Sequence, residues 1–137
     1  AEFYAAFEPE NYELCFECHN PELVRDRTTE TLTSFRNGDQ NLHFLHVNRE
    51  KGRTCRACHE THVSDNPKHL REAVPFGTGG WQLPINYEIT ETGGSCAPGC
   101  HREYAYDRKQ PVAYGNGEGE AAPAADAPAA EEEGGGS

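Results

Sequence analysis

Apolar residues along this chain come in short bursts, divided by polar and turn-forming stretches. The clearest periodic segment is "DQNLHFLHVNREKG", Asp39 to Gly52. Apolar residues recur at Leu42, Leu45 and Val47, Asp39 stands where a cap is wanted, and Gly52 can stop the helix. "PENYELCFECH", Pro9 to His19, predicts a helix leading into a cysteine pair, and a further short helix is expected from Cys55 to His62. Pro67 to Val74 predicts another, with proline in its first turn. Trp81 to Ile89 alternates in part and predicts extended chain, followed by the turn-like Glu91–Gly94. The predicted fold class is mostly irregular, with short α-helices and minimal β-structure. So much irregular chain suits a compact domain only if large prosthetic groups fill its interior.

The pattern stops after Tyr114. From Gly115 to Ser137 there is no aromatic residue, no Lys or Arg and no Val, Leu or Ile, but six acidic residues. Such a segment buries too little apolar surface to offset its ordering entropy. The expected organisation is a domain at residues 1–114 and a disordered acidic Ala/Pro/Gly-rich tail at 115–137. The tail carries −6 of the net charge of −11. This acidity argues against nucleic acid as a partner, because phosphate binding wants a basic face. No apolar run is long enough to span a membrane. The chain contains no methionine and begins "AEFYAAF", as expected after cleavage at a small-residue site. Export to the periplasm or the cell exterior is the corresponding expectation.

Six cysteines and seven histidines supply what a weak apolar core lacks. The cysteines form three pairs, each followed at once by histidine: Cys15, Cys18 and His19 ("CFECH"); Cys55, Cys58 and His59 ("CRACH"); Cys96, Cys100 and His101 ("CAPGCH"). Cys-x-x-Cys-His is the attachment pattern of c-type haem. Two thioethers hold the porphyrin arms and the adjacent histidine reaches under the ring to the iron. The third motif is one residue longer, and Gly99 lets the chain bulge there. Zinc would need four matched ligands per site, and these residues do not divide into tetrahedral sets. A disulfide framework would leave the histidine after each pair unexplained. Three covalent haem c groups are therefore the expected cofactors, with His19, His59 and His101 as proximal ligands.

His43, His46, His62 and His69 remain as distal candidates. With no methionine available, the ligand arithmetic favours three bis-histidine irons of low reduction potential. His43 and His46 lie three apart on one helical face, too close to serve one iron, so they are expected to reach different haems. His62 stands three residues beyond His59 and is expected to reach a neighbouring haem. His43, His46 and His62 are the expected distal ligands, with His69 in reserve.

These motifs resemble a known family. "HFLH…CRACHETH" is similar to the small multihaem c-type cytochromes, in which a His-x-x-His pair supplies distal ligands to two haems. "GWQLPINYEITETGGSCAPGCHREYAYDR" is similar to multihaem cytochromes of metal- and sulfur-respiring bacteria. The resemblance spans roughly Asn11 to Lys109. It implies a multihaem cytochrome fold with haems as the core, and distal roles for His43, His46 and His62. The family includes periplasmic shuttles and extracellular cytochromes that polymerise into conducting filaments, some with a distal histidine given by the adjacent subunit. The expected function is electron transfer rather than enzymatic catalysis, toward redox partner proteins or extracellular acceptors, as a carrier or as the subunit of a homopolymer. The alternative is a small reductase in which one haem iron lacks its distal histidine.

Overall fold

The computed structural model describes residues 4–114, so the acidic tail read from the sequence lies outside the described residues. In chain order the elements begin with β1 (Tyr4–Ala5), a 3-10 turn at Pro9–Tyr12, α1 (Glu13–Phe16) and α2 (Glu22–Arg25). A hairpin of β2 (Arg36–Asn37) and β3 (Gln40–Asn41) leads into α3 (Leu42–Val47), β4 (Gly52–Arg53) and α4 (Cys55–Cys58). After a 3-10 turn at Pro67–His69 come β5 (Ala73–Phe76), β6 (Trp81–Pro84), β7 (Tyr87–Ile89), β8 (Gly93–Cys96) and β9 (Tyr104–Asp107). All strand pairing is antiparallel: β1 with β4, β2 with β3, β5 with β6, and a three-stranded β7-β8-β9 sheet. No helix is long and apolar enough to cross a membrane among the described residues.

Short helices are as expected, but the extended structure exceeds the minimal β-structure predicted. The helix expected over Asp39–Gly52 spans only Leu42–Val47, and its cap is Asn41. Asp39 instead sits in the two-residue turn of the β2–β3 hairpin beside Gly38, whose φ is 61°. Gly52 does not stop the helix. It pairs with Ala5, and a Cβ there would come within 2.1 Å of the Val47 carbonyl oxygen. The helix expected at Pro67–Val74 is a single 3-10 turn, because Lys68 and His69 both adopt left-handed φ, 56° and 55°. Trp81–Ile89 is extended but interrupted at Asn86, whose φ of 49° divides β6 from β7.

The protein's own apolar interior is small. Tyr12, Val24 and Val47 form its centre, with Phe7, Phe16, Leu23, Cys15 and Cys55 packed around them. The other buried apolar residues are Ala57, Val74, Ile85 and Tyr106. One buried amide organises the region. Asn41 is 0% exposed. Its Oδ1 accepts from the His43 and Phe44 backbone N–H groups at 3.0 and 3.4 Å, capping α3. Its Nδ2 donates to the Leu23 and Asp26 carbonyls, both at 2.8 Å, which ties α2 to the start of α3. Asn48 repeats the tie at the far end, donating to the Val24 carbonyl. These two amides fix the helix that carries His43 and His46.

Asn41→Ala removes the cap and the two part-buried bonds to the Leu23 and Asp26 carbonyls, an expected loss of about 1–3 kcal/mol. Chemical denaturation followed by circular dichroism measures it. A loss within about 0.5 kcal/mol, the range of ordinary surface changes, would count against this account.

Candidate cofactor-binding site

The first two cysteine motifs are built alike. Cys15 to Cys18 and Cys55 to Cys58 each make about one helical turn, which brings the two sulfurs of a Cys-x-x-Cys pair to one side. In each, the following histidine closes the turn by donating its backbone N–H to the first cysteine's carbonyl: His19 to Cys15 at 2.9 Å, His59 to Cys55 at 3.0 Å. The chain then leaves the helix. His59 is extended, with φ −113° and ψ 140°, and bridges to Leu70, so the helix expected to reach His62 ends at Cys58. The third motif is different in kind. Cys96 ends β8, and His101 donates weakly to the Pro98 carbonyl at 3.4 Å.

The histidines fall into facing sets that the sequence spacing left open. The rings of His19 and His62 have centres 6.4 Å apart with planes 14° from parallel. The rings of His43 and His59 have centres 6.4 Å apart with planes 18° from parallel. His46 and His101 line one pocket with Phe35, Cys96, Tyr104 and Tyr106. His62 reaches its partner from a left-handed backbone, φ 64°, a conformation that costs a β-carbon-bearing residue about 1–2 kcal/mol. His69 is exposed and serves by its backbone. Its carbonyl accepts from the Glu60 N–H at 2.7 Å, and its ring joins none of the three sets.

Phe35 keeps His43 and His46 apart. Its ring lies edge-on to His43 at 5.1 Å, tilted against His46 at 5.6 Å, and edge-on to Tyr106 at 5.2 Å. Burial lowers the His43 pKa to about 3, with the neighbouring His59 and His46 adding to it. Burial lowers His46 to about 4, with His101 a smaller contributor. Both rings are therefore neutral at ordinary pH, the state in which imidazole binds a metal. Burial pushes Cys55 and Cys58 up to about 11 and Cys96 up to about 12. Among the described residues no group of three or more His, Cys, Asp or Glu side chains is arranged to hold a metal ion by itself.

Ring nitrogens are prepared as well. The Nδ1–H of His46 donates to the Leu42 carbonyl at 2.7 Å, that of His59 to the Lys68 carbonyl at 3.0 Å, and that of His101 to the Arg102 carbonyl. A carbonyl only accepts, so each of these rings presents Nε2 as a bare lone pair. The left-handed φ of Lys68 belongs to the turn that delivers its carbonyl to His59. Sequence reasoning missed Phe35 and these carbonyls. Backbone acceptors leave no signature in residue type, and Phe35 is one aromatic among many.

Haem c fits this donor set. A metal–imidazole bond of about 2.0–2.1 Å, with about 1.1 Å more to the ring centre, sets two rings on opposite sides of one metal about 6.3 Å apart. The two facing pairs meet that spacing. The buried Tyr12 hydroxyl, which has no hydrogen-bond partner, is also beside the Cys15 and Cys55 thiols, as the electrostatic influence of both on it shows. Comparison with known protein families, with curated proteins and with solved structures finds no match to this chain.

With haem c bound at the three motifs, replacing His62, His43 or His46 singly by Ala would leave one iron high-spin, read by electron paramagnetic resonance of the oxidised protein. His69→Ala is expected to leave all three low-spin. A high-spin signal from the His69 variant alone would overturn the assignment.

Proposed function

We propose that the protein transfers electrons as a low-potential c-type cytochrome with three bis-histidine haems. Cys15 and Cys18 hold the first, between His19 and His62. Cys55 and Cys58 hold the second, between His59 and His43. Cys96 and Cys100 hold the third, between His101 and His46. The observation that carries this reading is the pair of nearly parallel imidazoles at 6.4 Å, each joining a motif histidine to a distant one. Bound haem c supplies a reversible one-electron iron couple.

The chain's own residues give the sites an order. Cys15 and Cys55 are in hydrogen-bonding contact, which puts the first site beside the second. Cys58 lies close enough to Cys96 and Cys100 to shift with them, which puts the second beside the third. One helix, α3, carries a ligand for the second and one for the third. His19 and His62 are exposed while the other four ligands are partly covered. The first site is thus the one a redox partner or extracellular acceptor reaches most directly. An exported carrier and a filament subunit both use such a row. A reductase would need a motif histidine without a partner ring; His19 and His59 each lie opposite another histidine, and His101 shares a pocket with His46, which favours the carrier reading.

The test is a mass spectrum of the matured protein together with its pyridine haemochrome absorbance. Three covalent haems per chain are expected, and fewer would sink the reading. Cyanide added to the oxidised protein is expected to leave the spectrum unchanged, because no iron has a free position. A rapid spectral shift would favour the reductase.

A further inference from the structure

Four of the six paired histidines have a hydrogen bond at Nδ1, and three of those bonds go to backbone carbonyls. His43 is the exception. Its Nδ1 meets a side chain, the Thr33 hydroxyl, at 3.1 Å. We propose that Thr33 is a positioning residue for the second site, holding His43 in the Nδ1–H form and setting its strength as a ligand. The proposal rests on the haem reading above.

The hydroxyl is well held for this purpose. Residues 29–35 run without helix until β2, and the segment is shaped by threonine hydroxyls that accept from nearby backbone N–H groups. The Thr29 hydroxyl accepts from Thr31 and Leu32, and the Thr33 hydroxyl from Phe35 at 2.9 Å. That last bond fixes the Thr33 Oγ1 where it meets His43. It also seats Phe35, whose ring separates His43 from His46. One short turn thus orients a ligand and divides two sites.

The direction of the effect follows from the chemistry. A metal bound at Nε2 leaves the proton on Nδ1, so His43 donates and Thr33 accepts. A ring that donates from Nδ1 is a stronger base at Nε2. It stabilises ferric iron more than ferrous, which lowers the reduction potential of its own site. Carbonyl partners cannot be removed by substitution without moving the backbone. Among the described residues Thr33 is the one such Nδ1 partner that a side-chain change can delete, which makes the second site adjustable through this hydrogen bond.

The experiment is a spectroelectrochemical titration of the three-haem protein and its variants. Thr33→Val keeps the shape and removes the acceptor. It is expected to favour the ferrous form of one haem by up to about tenfold, which is about 59 mV for one electron. The moving step should be the one that His43→Ala shifts furthest. Thr33→Ser restores the original value, and Thr33→Cys, a weaker acceptor, gives a smaller upward shift and serves if the valine variant does not mature. Three unchanged potentials overturn the proposal. So does a common shift of all three, or a failure of serine to restore, since either marks a purely structural role. Fewer than three haems in the unaltered protein overturns the underlying reading instead, a result visible before any potential is measured.

Discussion

Two pairs of imidazoles, each with nearly parallel planes and centres 6.4 Å apart, are the arrangement on which the rest of the structure turns. Unsupported, such rings would close the gap or turn to water. Here the backbone spends conformational freedom to keep them apart. His62 accepts a left-handed φ to stand opposite His19, and Lys68 and His69 accept the same to bring a carbonyl under His59. Strain of this kind gathers where function over-determines the chain. The rest of the architecture serves those spacings. Strands of two to four residues and helices of four to six residues are long enough to aim side chains and too short to form layers of their own.

This division of labour explains the sparse apolar interior. Tyr12, Val24 and Val47 gather where α2 and α3 meet, and their task is local: they seat α3. The Asn41 and Asn48 amides then fix that helix along its length. Beyond this knot, cohesion comes from narrow ties such as Asn37. Its side chain bonds both Asp107 and Val112 and closes the C-terminal strand onto the β2–β3 hairpin. A chain held by ties rather than by a packed core has reason to take in large flat groups as its interior, which is the logic of the haem proposal.

What could be read in the sequence was what is local and covalent. The cysteine–histidine triplets declare themselves by spacing, and the likeness of the first two appears again in their shared backbone bond. The three-residue step between His43 and His46 carried the expectation that they serve different sites. It did not say which motif histidine each would face, because that depends on pairings between segments far apart in sequence. The helix boundaries failed for a related reason. Asp39 and Gly52 have the residue types of a cap and a stop, yet a hairpin claimed one and strand pairing claimed the other. Pro67 begins a turn that ends at once, because the neighbouring backbone is committed to His59. Local preference lost wherever pairing between distant segments claimed the residue.

The shared helix α3 has an outcome for how such a protein can change over time. His43 and His46 hang from one turn of a six-residue helix whose two ends are both tied to α2. One residue inserted between them would swing one ring by about 100° around the helix axis and past its partner. Drift by insertion or deletion is closed to this segment. The two haem sites proposed for it would be inherited, duplicated or discarded as a single block.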